Sequence, residues 1–402
     1  MKNNSKKLFF HGSYILLAFF AYVIITNLDY TVFAYNDVYR IVSKIMRYLC
    51  YLVFFSNIVY NISNKEKKIS LYSICFLALA ILVMFFSKNT YIIILWIILN
   101  ALKNEKIERI VNCCFIANFL AFIFIFLGSC LKIIPNWSYF RSVDKIRYSM
   151  GYHYPTICAT YLFLLILMYF YKKKGRVDFK TSIFEFTLAG LVYCLTDSRT
   201  AFFLSIIVVI IQFMFLYKNK YMASVYQLLF NDKTKCIIAL FPVIICILAF
   251  LMIFLYSSNF KFMIPINEML SDRLSLSSNA IQKYGVPIFG TKIKWFGWSG
   301  VGYVNIKNFE YNFVDNAYIY IMLNYGVLFL ITLIVQYFIY FKKLLKNNRY
   351  LLIIINIIIL IWAFVEPNLL EVGKNAFIIE LSYIFNDGIC LRFKNGKITL
   401  DK

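Results

Sequence analysis

The side chains best equipped for chemistry in this sequence lie between its apolar runs rather than within them. Arg141, Lys145 and Arg147 cluster in one such segment. Arg199 stands in a second, and Arg273, Lys283, Lys292, Lys294 and Lys307 are spread along a third. A guanidinium offers a planar fork of donors that matches phosphate oxygens, so an arginine set on one side of a membrane suits a phosphorylated ligand. Solvated loop charge, or contact with anionic lipid headgroups, accounts for the spacing more simply.

Three shorter stretches add groups that handle protons or charge. Thr196-Asp197-Ser198-Arg199-Thr200-Ala201-Phe202 forms the whole turn between two apolar runs, placing Asp197 and Arg199 at a membrane boundary. Read as a charge pair, they end two helices and snorkel into water. Read as a site, Arg199 faces a bundle cavity and holds an anion, because an ionisable group at membrane depth is costly without a task. His153, in Gly151-Tyr152-His153-Tyr154-Pro155-Thr156, lies where a loop enters a helix at Pro155. It reads either as an interfacial residue or as a proton carrier titrating near neutrality. Asp315-Asn316 is an N-cap signature, and Asp315 becomes a candidate general base if its carboxylate faces a cavity instead of the cap.

The elements that must position these residues are membrane helices. Of the 402 residues, 62% are hydrophobic and 15% charged, and the mean hydropathy is +0.72. Soluble domains carry about 25% charged residues, so lipid must be part of this chain's solvent. Apolar runs fall at about 8–28, 46–62, 70–86, 90–102, 110–131, 155–171, 182–196, 200–217, 236–256, 316–340, 350–365 and 375–391. The pattern predicts an all-α, polytopic bundle of eleven or twelve spans forming one domain over 1–402. The fourth run is short and the twelfth is interrupted by Glu380, Asn386 and Asp387. Lys2, Lys6 and Lys7 precede an apolar run with no small-residue cleavage site, which reads as an uncleaved first helix.

Charge placement sets an expected orientation. With the N-terminus inside, the segments 1–7, 61–69, 103–109, 172–181, 218–235, 342–349 and 392–402 hold 26 Lys/Arg in 70 positions, against 16 in about 116 on the other side. The positive-inside rule then gives N-in and C-in, and it absorbs the net charge of +23 without nucleic acid as a partner. Two long loops fall outside, 132–154 and about 257–314. The second is rich in turn residues (Gly285, Pro287, Gly290, Gly297, Gly300, Gly302), with Trp295 and Trp298 expected against the membrane interface. Most of the ten cysteines lie in apolar runs, and there are only two histidines, so neither a disulfide framework nor a metal site is expected, and no cofactor.

In order and placement, three stretches resemble the bacterial polysaccharide polymerase (Wzy) and O-antigen ligase superfamily. Gly151 to Thr156 is similar to its His-Pro helix entry, and Thr196 to Phe202 to its Ser-Arg-Thr turn. Arg273 through Pro287-Ile288-Phe289-Gly290 to Asp315-Asn316-Ala317-Tyr318 and Gly326 resembles its long loop. The likeness covers about 150–330. Ligase members often carry His before the Asn, where this chain has Asp315, which moves the likeness toward the polymerases.

The resemblance implies an enzyme on the outer face of a bacterial plasma membrane. It would join oligosaccharide repeats carried on polyprenyl diphosphate into capsular or O-antigen-type polysaccharide. Arg273 and Arg199, then Arg141 and Arg147, would hold the diphosphate; Asp315, then His153, would serve as base; Gly290, Asn316 and Tyr318 would support the motif. The expected chemistry is metal-independent. A chain-length regulator and a flippase are further expected partners. A ligase-type transferase, a lipid-linked oligosaccharide flippase and a non-enzymatic membrane protein are the competing expectations.

Overall fold

In a computed structural model of the protein, residues 2–66, 68–142, 145–216, 231–297, 311–385, 390–394 and 397–401 are described. Lys307, Trp298, Gly300 and Gly302 lie outside them, as do Asn386 and Asp387 of the twelfth run. The chain is a helical membrane protein. Its helices are α1 (Lys2–Leu28), α2 (Asp37–Tyr60), α3 (Leu71–Ser87), α4 (Tyr91–Leu102), α5 (Ile107–Cys130), α6 (Pro155–Lys172), α7 (Phe179–Thr196) and α8 (Arg199–Leu216). They continue with α9 (Asp232–Ser257), α10 (Met263–Met269), α11 (Arg273–Tyr284), α12 (Ala317–Tyr325), α13 (Val327–Lys346) and α14 (Tyr350–Ala363). Six helices among the described residues are long and apolar enough to cross a membrane: α2, α5, α6, α8, α9 and α13.

The soft points of the sequence pattern are where the structure departs from it. The twelve residues of α4 rise only ~18 Å at ~1.5 Å each, well short of a ~30 Å hydrocarbon layer. The twelfth run folds as a ten-residue 3-10 helix, Ala376–Phe385, and Ala376 to Ser382 are buried in protein. The cause is polar: Glu380 cannot face lipid and instead accepts a 2.7 Å hydrogen bond from Tyr340 of α13. Two small sheets also qualify the all-α expectation. A hairpin of β2 (Ser138–Ser142) and β3 (Lys145–Tyr148) forms within the first long loop. Strand β1 (Lys68–Ser70) pairs with β4 (Cys390–Lys394), which pairs with β5 (Lys397–Asp401), joining two segments that the charge count places on one side.

At the centre of the bundle, α6 packs against α5, α7, α8 and α14. It begins at Pro155, whose missing N–H falls where a helix leaves its donors unpaired, and nearly every side chain from Cys158 to Tyr171 is buried. Helices α7 and α8 form a hairpin whose turn is Asp197 and Ser198. Asp197 takes a left-handed conformation (φ +46°) that ends α7.

The late loop is locked onto the membrane helices by two glycines. The 287–290 turn lies across the α12–α13 junction, where Val327 N–H donates to Pro287 C=O (2.9 Å) and Thr291 N–H to Leu323 C=O (2.8 Å). Gly326 sits at φ +91°, ψ +162°, a region essentially restricted to glycine, and a Cβ there would lie 2.2 Å from the Ile288 carbonyl oxygen. A Cβ on Gly290 would lie 2.3 Å from the Asn324 carbonyl oxygen. The Pro-x-x-Gly motif is thus a backbone clasp, and Tyr318 adds to it by donating from its hydroxyl to Leu360 C=O of α14 (2.8 Å). Gly326→Ala is expected to lower stability by at least ~1–3 kcal/mol from backbone strain alone. A melting curve of the detergent-solubilised variant matching that of the native chain would refute the clasp.

Candidate functional site

All six segments that the charge count groups opposite the basic loops contribute to one cavity of about 1000 Å³. Tyr30 comes from the α1–α2 connection, Asn89 from the α3–α4 turn and His153 from the hairpin segment. Arg199 comes from the α7–α8 turn, Arg273 and Asp315 from the late loop, and Glu366 to Lys374 from the connection after α14. Arg141, Arg147, Arg199, Arg273, Asp315 and His153 all line it, although they are spread over more than 170 positions of sequence. Gly290, Asn316 and Tyr318 do not line it; they hold the late loop and α12 in place.

Asn316, not Asp315, caps α12. Its side-chain oxygen accepts from the Tyr318 and Ile319 amides at 3.0 and 3.3 Å. The Asp315 carboxylate is thereby released into the cavity, where it lies 3.4 Å from Arg273 Nε. This is an ion pair without good hydrogen-bond geometry, because Arg273 Nε is buried and makes no hydrogen bond among the described residues. Arg273 also donates from Nη1 to Leu270 C=O at 3.2 Å. Burial raises the Asp315 carboxyl above the usual aspartate range, and the Arg273 cation opposes that rise.

The other arginines differ in what they have left to offer. Arg141 is committed: Nη1 meets Asp197 Oδ2 at 2.7 Å and the Asp197 carbonyl at 3.0 Å, and Nη2 donates to Ser271 Oγ at 3.2 Å. Arg147 donates from Nε to Thr196 C=O (2.8 Å) and lies over the Tyr154 ring (5.4 Å), bracing the hairpin against α7. Arg199 is exposed at the cavity wall and makes no salt bridge among the described residues. Asp197 therefore pairs not with its neighbour Arg199 but with Arg141 and with Lys145 Nζ (2.8 Å). Position on the chain suggested the wrong partner, because helix α8 starts at Arg199 and carries it away from the turn.

His153 differs from the neutral-range proton carrier its residue type suggests. Burial, and then the Lys374 cation, push its imidazole down to about 4, so it is uncharged at pH 7. Its backbone is held by Tyr30 C=O (3.0 Å) and by the Tyr139 hydroxyl (2.6 Å), while neither ring nitrogen has a hydrogen-bond partner among the described residues. Trp295 turns inward: its Nε1 donates to Asn324 Oδ1 (2.9 Å) and its ring packs 5.5 Å from Tyr320 in the cavity wall.

The segment 364–375 carries groups that no motif singles out. Glu366 lines the cavity, and burial, reinforced by the Asp315 charge, holds its carboxyl up to about 7. Lys374 is only 2% exposed, and its ammonium lies 3.4 Å from the Tyr30 ring centroid. Burial draws it down to about 8 against the pull of Glu371 and Glu366. One signal existed: Lys374 is a basic residue in a nine-residue segment on the side that otherwise has few.

No family model, no curated protein and no solved structure matches this chain. The site is therefore read from its own geometry.

Arg141, Lys145 and Asp197 give a test of that geometry. The ion pairs hold the Asp197 carboxyl below its ordinary value despite burial, so the stabilisation they give is present above ~pH 3.9 and lost as pH falls through the lowered value. Asp197→Asn keeps a residue that tolerates the left-handed turn but removes the charge. It should destabilise by ~2 kcal/mol and speed protease cleavage within 132–154 at pH 7. An unchanged cleavage rate would show that the hairpin is held otherwise.

Proposed function

We propose that this protein is a polymerase that joins oligosaccharide repeats carried on polyprenyl diphosphate into capsular or O-antigen-type polysaccharide, at the outer face of a bacterial plasma membrane. The observation that carries the reading is the cavity itself. It gathers Arg199, Arg273 and Asp315 with a wall of aromatic rings, at one end of an apolar helical bundle. Guanidinium groups suit a diphosphate, aromatic faces suit sugar rings, and an apolar bundle suits a lipid-linked substrate whose tail stays in the bilayer. Each of the three stretches that resemble the Wzy and ligase superfamily contributes residues to the cavity: His153 and Tyr154, Asp197 to Thr200, and Arg273 with Asp315.

In this reading an acceptor hydroxyl attacks the anomeric carbon of the donor chain, the bond to the lipid diphosphate breaks, and the hydroxyl proton passes to a carboxylate. Negative charge develops on the departing diphosphate, and preorganised guanidinium groups stabilise it most in the transition state. Arg199 and Arg273 are the arginines suited to this, since Arg141 and Arg147 are occupied in holding the hairpin. Asp315, beside Arg273 in the cavity, would accept the proton. Glu366, charge-coupled to Asp315 and held at about 7, is a second carboxyl matched to proton transfer near neutral pH. The bundle would have its N- and C-termini inside, with 132–154 and 257–314 outside.

Arg273→Ala and Arg199→Ala should each abolish long chains while single lipid-linked repeats accumulate; normal chain lengths on gel analysis would sink the assignment. Repeats trapped inside the cell would point to a flippase instead. A base must be ionised to act, so polymerisation by the purified protein should rise as pH climbs through about 7. Glu366→Gln should flatten that limb, and an unaltered profile would leave Asp315 as the base acting alone. Thiols introduced at positions 141 and 273, but not 173, should react with an impermeant reagent applied to whole cells. The opposite pattern would invert the topology.

A further inference from the structure

The end of the cavity furthest in chemistry from the arginines is built around Lys374. Its ammonium rests on Tyr30 (3.4 Å) and lies 5.5 Å from the Tyr161 ring centroid, and it makes no salt bridge among the described residues. Tyr30 also meets the His153 ring edge-on, with centroids 5.7 Å apart, and donates from its hydroxyl to Asn368 Oδ1 at 3.3 Å. Around this centre, three buried polar atoms have no hydrogen-bond partner among the described residues: Nδ1 and Nε2 of His153 and Oε1 of Glu371. Buried polar groups are nearly always satisfied, and leaving one unpaired costs ~1–3 kcal/mol, so three together with a buried ammonium mark a place shaped for something else.

Charge limits what that occupant can be. An anion attracted to Lys374 meets Glu371 and Glu366, whose fields already act on the ammonium. A cation attracted to those carboxyls meets Lys374. His153, uncharged at neutral pH, adds one donor and one acceptor but no net charge. A neutral, hydroxyl-rich ring satisfies every group at once. Hydroxyl oxygens accept from Lys374 and one imidazole nitrogen, and hydroxyl protons go to Glu371 Oε1 and the other nitrogen.

We infer that Lys374, Glu371, His153 and Tyr30 form a binding subsite for an uncharged sugar residue, chemically separate from the arginine wall. This rests on the glycan-transfer reading above and adds the character of the sugar that enters deepest. The Glu366 and Glu371 carboxyls disfavour a uronic acid at that position.

The test is saturation-transfer NMR on the full-length protein in lipid nanodiscs. The probes are the methyl glycosides of glucose, galactose, rhamnose, N-acetylglucosamine and N-acetylgalactosamine, with methyl glucuronide as the charged counterpart. At least one neutral glycoside should bind, and methyl glucuronide should bind more weakly than it. Lys374→Met and Glu371→Gln should each weaken that binding by roughly ten- to a hundredfold, as expected for one lost hydrogen bond to a charged group. Preference for the glucuronide, no binding by any neutral glycoside, or unchanged affinity in monodisperse variants would each overturn the subsite. If both variants misfold, the neutral-versus-charged preference of the native chain decides. Chain length in cells carrying Arg273→Ala tests the polymerase reading separately: normal chains there would defeat that reading while leaving the subsite standing.

Discussion

A carboxylate buried at the mouth of an apolar bundle must be paired, and in this protein Asp197 meets that demand with partners from a distant segment. Its side chain is 4% exposed and is held by Arg141 and Lys145, which sit on either strand of the β2–β3 hairpin. Arg141 then reaches Ser271 in the late loop, and Arg147, from the same hairpin, ties back to the Thr196 carbonyl. One buried charge therefore draws the hairpin, the α7–α8 turn and the late loop around a shared space. The cost of an unpaired charge in low dielectric makes that arrangement specific, whatever the pair contributes to net stability.

A second tie works through shape. Gly290 and Gly326 let two backbones pass where any Cβ would collide, which fixes the late loop against the α12–α13 junction. With Asn316 serving as the cap, Asp315 is turned toward Arg273. The site's acid–base geometry thus depends on residues that never touch the cavity. Arginines that look alike in the sequence are separated in role by the same logic: two are consumed as struts, and two keep donors for a ligand.

The cavity is not a simple basic funnel. Carboxylates balance its cations, and its aromatic walls come from Tyr30, Tyr91, Tyr139, Tyr154, Trp295 and Tyr320. In the proposed reading, that balance suits a ligand with both a charged and an uncharged part rather than a free anion. Within the same cavity Arg199 is exposed and Lys374 is enclosed.

The sequence by itself determined that this is a helical membrane protein and where most of its connecting segments fall, and it offered Arg141, Arg147, Arg199, Arg273, Asp315 and His153 as candidates. Hydropathy and local motifs suffice for that, because helix formation and burial in lipid depend on neighbours within one or two turns. It misjudged the twelfth run, since the tolerance of Glu380 within an apolar stretch depends on Tyr340, a residue forty positions away. Its only sign of the group Glu366, Glu371 and Lys374 was the basic residue Lys374 on the less basic side, because their significance comes from sharing a cavity with Tyr30 and His153 rather than from any pattern of their own. Only the tertiary structure decided which partner Asp197 takes and which groups remain unpaired. Ion pairing and desolvation act through space, at distances that chain order does not encode.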